Sequence, residues 1–152
     1  MNKAFTFIEL LIILGITVII ATTGTLRFFK YRVGQNLDLT AKEIAMVLRN
    51  AQNRSISQDD SDSWGVYFNN LSTNDYYDLF KGASYDPANV VSRISLRSNI
   101  EFNLPSSGTT LTIVFSKFEG FPSASTTVRV NQESNPLDFK NIVINGSGQI
   151  SF

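Results

Sequence analysis

The chain has 152 residues, the size of one domain, with 13 Lys and Arg against 13 Asp and Glu and with neither His nor Cys. Without those two residue types it can build no Ser-His-Asp or Cys-His catalytic centre, no Cys/His zinc site and no disulfide. The balanced charge also lacks the basic excess that marks nucleic-acid-binding domains.

The charges are unevenly placed. Across residues 4–26 the single charged side chain is Glu9. As a helix this run rises about 35 Å, enough to cross a hydrocarbon core of about 30 Å. Lys3 precedes it, and Arg27, Lys30 and Arg32 follow, so a positive-inside count alone places the C-terminal flank in the cytoplasm. The run is longer than the h-region of a cleaved secretory signal, and no clean small-x-small site closes it. A plain signal anchor fits the length but leaves Glu9 unexplained. A carboxylate deep in such a span costs on the order of 2–3 kcal/mol and calls for a partner.

The run Lys3-Ala4-Phe5-Thr6-Phe7-Ile8-Glu9-Leu10-Leu11-Ile12-Ile13-Leu14-Gly15-Ile16 resembles the class III signal of type IV pilins and pseudopilins. The resemblance covers about the first 25 residues, and it overrides the positive-inside count. It implies that a membrane-embedded prepilin peptidase cuts between Ala4 and Phe5 and methylates the new Phe5 amine. Ala4 stands where the family usually has Gly. Glu9 then pairs with the Phe5 amine of a neighbouring subunit in a filament core. There an unpaired charge is costly, so wrong registers are penalised. The implied partners are other pilin or pseudopilin subunits, the prepilin peptidase, a membrane assembly platform and, before assembly, the lipid bilayer. The implied location is a single pass through the cytoplasmic (inner) membrane with the head outside, then an extracellular or periplasmic filament. Many relatives carry a Pro near Leu26. Here Thr22, Thr23, Gly24 and Thr25, weaker helix formers than Ala, mark where the helix is expected to soften.

Residues 27–57 continue the helix with an amphipathic pattern. Val33, Leu37, Ile44, Leu48 and Ala51 recur near the 3.6 period, and Ala41, Ala45 and Val47 widen the stripe. Polar turn formers at 58–63 end it. Residues 58–152 then read as a β-rich head. Strands are expected at 64–69, 76–81, 90–98 and 100–104, then around Leu111, Ile113 and Phe115 and around Val128 and Val130. After a connector at 131–138, a final hairpin joins 139–144 to 149–152 through Asn145-Gly146-Ser147-Gly148. The expected fold class is α+β, a long N-terminal α-helix packed by its C-terminal half on an antiparallel β-sheet head. The stretches 41–52 and 64–68 also resemble H-type pseudopilins and related minor pilins, more diffusely.

The organisation read from the chain is a cleaved leader at 1–4, a transmembrane or filament-core helix at 5–26, an amphipathic helix at 27–57 and the head at 58–152. The function read from it is a structural subunit, a minor pilin or pseudopilin of a type IV pilus or type II secretion pseudopilus. It is the substrate of an enzyme and not itself one. A second reading is a membrane-anchored extracellular binding module. A third adds DNA uptake to the pilin scaffold, with Arg93, Arg97, Lys117, Arg129 and Lys140 as the candidate basic face. The Asp59-Asp60-Ser61-Asp62 cluster reads as a solvated helix terminus before it reads as a Ca²⁺ loop, since it lacks the Gly and distal Glu of an EF-hand. Tyr76, Tyr77 and Tyr85 fit either a core or an interface. No motif calls for a cofactor or a metal.

Overall fold

The computed structural model describes residues 6–71 and 74–152, with the side chains of 22–33 left aside. The first element is α1 (Phe7–Ile56). It contributes to two compact units, residues 1–35 and 36–152. Among the described residues, eight antiparallel strands follow. They are β1 (Trp64–Asn70), β2 (Tyr76–Lys81), β3 (Val90–Ser95), β4 (Ile100–Leu104), β5 (Thr109–Phe115), β6 (Thr126–Gln132), β7 (Asn135–Ile144) and β8 (Ile150–Ser151).

The fold is α+β, as expected, but the head holds two four-stranded sheets where one was expected. Their orders are β3-β2-β1-β5 and β4-β6-β7-β8. β5 returns to the edge of β1, while β4 before it pairs with β6. Local alternation sets which face of a strand is apolar. It does not say which strand lies beside which.

In the second unit, Leu37, Ala41, Ile44, Ala45, Leu48 and Ala51 of α1 are buried at spacings of three and four. They meet Trp64, Val66 and Phe68 of β1, Tyr77 and Leu79 of β2, Ile113 and Phe115 of β5, and Val128, Val130, Ile142 and Ile144 of the second sheet in one apolar core. Ala is common in the helical stripe because its small side chain lets the helix lie close to the strands. The helix stops where Gln58 takes a left-handed φ of 54°. Ser55 fixes the exit. Its hydroxyl accepts from the Trp64 N–H at 2.8 Å and is itself buried. Gln52 ties the last turns to the head by donating to the carbonyls of Gly120 and Gly148 at 2.9 and 2.8 Å.

The first sheet has a second packed face. Phe80 is fully buried yet points away from the helix, with its ring lying across Gly65. A Cβ on Gly65 would sit 2.6 Å from the Phe80 ring and 2.6 Å from the Ile113 carbonyl oxygen. Gly65→Ala is therefore expected to destabilise the head by about 1–3 kcal/mol through overpacking. Urea unfolding of the full chain in detergent, followed by the fluorescence of its one Trp, checks this.

One connection differs from the expected one. β6 and β7 join through Glu133 and Ser134, so most of the expected connector at 131–138 is strand. Gln132 donates to Asp138 at 2.5 Å across an irregular register that absorbs Pro136. The final hairpin turns at 145–149 as expected, with Gly148 carrying a positive φ of 82° and its N–H donating to the Asn145 carbonyl.

Candidate functional site

The described side chains at the start of α1 form an exposed apolar surface. Every large apolar side chain from 7 to 20 is 50–80% exposed, on all sides of the helix. A helix apolar all round needs a lipid or protein environment to cover it. Among the described residues no helix is long and apolar enough to cross a membrane. The described apolar stretch, 7–21, rises only about 22 Å. The rest of the expected span falls on Phe5 and on residues 22–26, outside the described backbone or side chains. Ala4, Phe5 and the leader lie outside the described residues. The expected softening at Thr22, Thr23, Gly24 and Thr25 falls where side chains are not described.

Glu9 sits in the first turn of α1. The Thr6 N–H donates to the Glu9 carboxylate at 3.5 Å, and the Glu9 N–H donates to the Thr6 hydroxyl at 3.3 Å. This is a capping box, with Thr6 as N-cap and Glu9 three residues into the helix. The sequence reading missed it, although Thr-x-x-Glu before an apolar run is its signature. Glu9 thus has a local task as well as any task between subunits.

The five candidate basic residues are engaged separately. Arg93 on β3 donates through Nε and Nη2 to both oxygens of Asp78, each at 2.8 Å, and lies 4.1 Å over the Tyr76 ring. Arg97 pairs with Glu43 of α1. Lys117 donates to the Ser61 carbonyl at 2.8 Å. Arg129 donates to the Asn141 side chain at 2.7 Å and stacks on Phe139. Lys140 reaches Asp38 of α1 at 2.6 Å and holds its carboxyl below the usual range. Lys81 and Arg54 likewise answer Asp60 and Asp59, both at 3.4 Å. Among the described residues no group of three or more acidic side chains is arranged to hold a metal ion.

Tyr77 is core, and burial raises its phenol above its ordinary value. Tyr85 stacks on Tyr67 at 3.7 Å and donates to Asp78 at 2.8 Å. Burial, then the bond to Asp78, pushes its phenol up to about 12. Asp78 is fully buried and accepts from both Arg93 and Tyr85, so it is the polar centre of the second face of the first sheet.

A polar cleft of about 760 Å³ opens between the two sheets, lined by Asp75, Arg97, Asn99, Glu101 and Glu133 among others. Asp75 joins the sheets across it. Its carbonyl accepts from Leu96 and its carboxylate from the Phe102 N–H at 2.9 Å. Burial raises the Asp75 carboxyl, the Phe102 bond opposes this, and Glu101 and Glu133 add to the rise. The folded chain therefore holds this proton more tightly than the unfolded chain. The destabilisation from the charged form is present at neutral pH and is relieved as pH falls through the raised value toward the ordinary carboxylate range. Asp75→Asn is expected to flatten the dependence of unfolding free energy on pH in that window, read from urea melts at stepped pH.

The arrangement of helix and sheets is shared with a solved structure. The chain is similar to the type IV minor pilin FimU of Pseudomonas aeruginosa, with a TM-score of 0.54, 15% sequence identity, and coverage of 76% of this chain and 90% of that one. The fold is type IV pilin-like. No family model matches the sequence, and no curated protein matches it. Glu9 sits at the start of α1, and the β-rich head packs on its later turns.

Proposed function

We propose that this chain is a structural subunit of a type IV pilus or a type II secretion pseudopilus, a minor pilin or pseudopilin that does no catalysis itself. The observation that carries the reading is the pilin-like fold joined to a bare apolar helix headed by Glu9. The chain waits in the cytoplasmic membrane with residues 5–26 in the bilayer and the head outside. Prepilin peptidase removes residues 1–4 and methylates Phe5. The apolar helices then bundle with those of other subunits on a membrane assembly platform, and the lipid is replaced by protein. Lipid already covers the apolar surface before assembly, so close van der Waals packing between helices drives the bundling. Glu9 turns from its own helix start to the Phe5 amine of a neighbour, which fixes the register.

The test is intact-mass measurement of the chain co-expressed with a prepilin peptidase. The expected product lacks residues 1–4 and carries one added methyl group. A product that still begins at Met1 would support a permanently anchored module instead.

A further inference from the structure

Edge strands expose N–H and C=O groups to any other strand, and proteins blunt them with bulges, Pro, charge or short length. Three edges of this head are blunted among the described residues. β3 carries an extra residue, Val91, where its register shifts against β2. β4 carries Asn103 in the same way against β6. β7 holds Pro136 within an excursion over 136–138, and the two-residue β8 pairs beside it only at Val143 and Ile144.

β5 has none of these devices. Its pairing with β1 is unbroken from Trp64↔Phe115 to Asn70↔Thr109. Its sequence, Thr109-Thr110-Leu111-Thr112-Ile113-Val114-Phe115, has no charge, Pro or Gly and is rich in strand formers. The end of the strand is already covered. Ser123 donates to the Val114 carbonyl at 2.8 Å, and Phe115 bridges to Pro122. The beginning is open, with Thr109, Thr110 and Thr112 exposed and Leu111 half-buried against the core.

Backbone groups of alternate residues point to the same edge of a strand. The Val114 carbonyl points away from β1, because Ser123 holds it there. Thr112 and Thr110 therefore also face outward. We infer that this edge pairs antiparallel with the same edge of a second copy of this chain, about a two-fold axis at Leu111. Thr110-Leu111-Thr112 reads the same in both directions, so the edge is its own complement. Thr110 of each copy meets Thr112 of the other in a hydrogen-bonded pair, and the two Leu111 side chains face each other. No charge is placed opposite a like charge. Sliding the register by two residues brings in either Val114, whose carbonyl Ser123 occupies, or Gly108, whose N–H the Asn70 carbonyl holds at 2.6 Å. The short contact makes a weak dimer, read at high protein concentration.

The chain has no Cys, so introduced thiols report unambiguously. Residues facing each other in a non-hydrogen-bonded antiparallel pair have Cα atoms about 4.5 Å apart, inside the disulfide range of about 4.4–6.8 Å. The full chain in detergent, oxidised with diamide, is read on a non-reducing gel. Leu111→Cys is expected to give a linked dimer. Thr110→Cys and Thr112→Cys are expected to link when mixed and not singly. Thr112→Pro removes an outward N–H without touching the β1 ladder, and Thr110→Lys adds like charges. Either change in the Leu111→Cys background should cut the dimer yield about tenfold or more. Absence of a dimer from Leu111→Cys would overturn the pairing. So would a yield that neither Thr112→Pro nor Thr110→Lys lowers, since the link would then come from contact through the apolar helix.

Discussion

Glu9→Gln is expected to lower the amount of this chain in sheared filaments about tenfold or more, while the membrane pool and the fold of the head stay as they were. Gln keeps the Thr6 capping box, because an amide at that position can still accept from the Thr6 N–H. It removes only the charge. Glu9→Ala removes both, and losing a cap costs a helix about 1 kcal/mol. If the pairing across subunits matters, the two variants fail to a similar degree. If only the helix start matters, Gln assembles normally and Ala falls short. The expected size of the effect follows from leaving the neighbour's amine unpaired in an apolar bundle. Breaking a buried ion pair costs about 3–5 kcal/mol, and about 1.4 kcal/mol is already tenfold in an equilibrium. Comparison of filament and membrane fractions by immunoblot reads the outcome.

Trp64→Ala is expected to lower the unfolding free energy of the head by about 3–5 kcal/mol, the range for emptying a large aromatic site in a core. Trp64 is 1% exposed and is held from three sides. Its backbone N–H donates to the Ser55 hydroxyl, its indole N–H donates to the Asp59 carbonyl at 3.0 Å, and Arg54 lies 4.4 Å over the ring. It therefore joins the last turn of α1 to the first strand of the head. Its loss strands the Arg54 stacking and the Asp59 carbonyl as well as the apolar volume. Trp64→Phe keeps much of that volume and should recover most of the loss. Urea unfolding followed by circular dichroism separates the two, since the single Trp is gone in both.

The elements that sequence periodicity placed well are those whose pattern is fixed locally. The stripe Leu37, Ala41, Ile44, Ala45, Leu48 and Ala51 is buried as its spacing implied. β2 and β4 begin and end where the apolar alternation and the turn residues around them do. What depended on distant parts of the chain was not legible. Two sheets were read as one, because β5 pairs with β1 across some 40 residues and nothing within β5 names that neighbour. Asp78 was unremarked, since a single Asp in a strand reads as a solvated position. Its burial follows from Arg93 and Tyr85 arriving from later in the chain. The basic residues looked like a face in the linear sequence, but Glu43, Asp78 and Asp38 each answer one of them in three dimensions. Glu9 was legible as an exception to an apolar run, and its partner Thr6 stood three residues away unread. At 15% identity, the likeness to FimU lies in the fold and little of it in the letters.

The proposed function has this chain built into a filament through its apolar helix. Peptide mass spectrometry of purified surface filaments or periplasmic pseudopili, from cells making the unaltered chain, tests it most directly. The chain is expected to co-purify with the filament, with methylated Phe5 as its first residue. A chain confined to the membrane fraction, still beginning at Met1 while other subunits assemble, would contradict it.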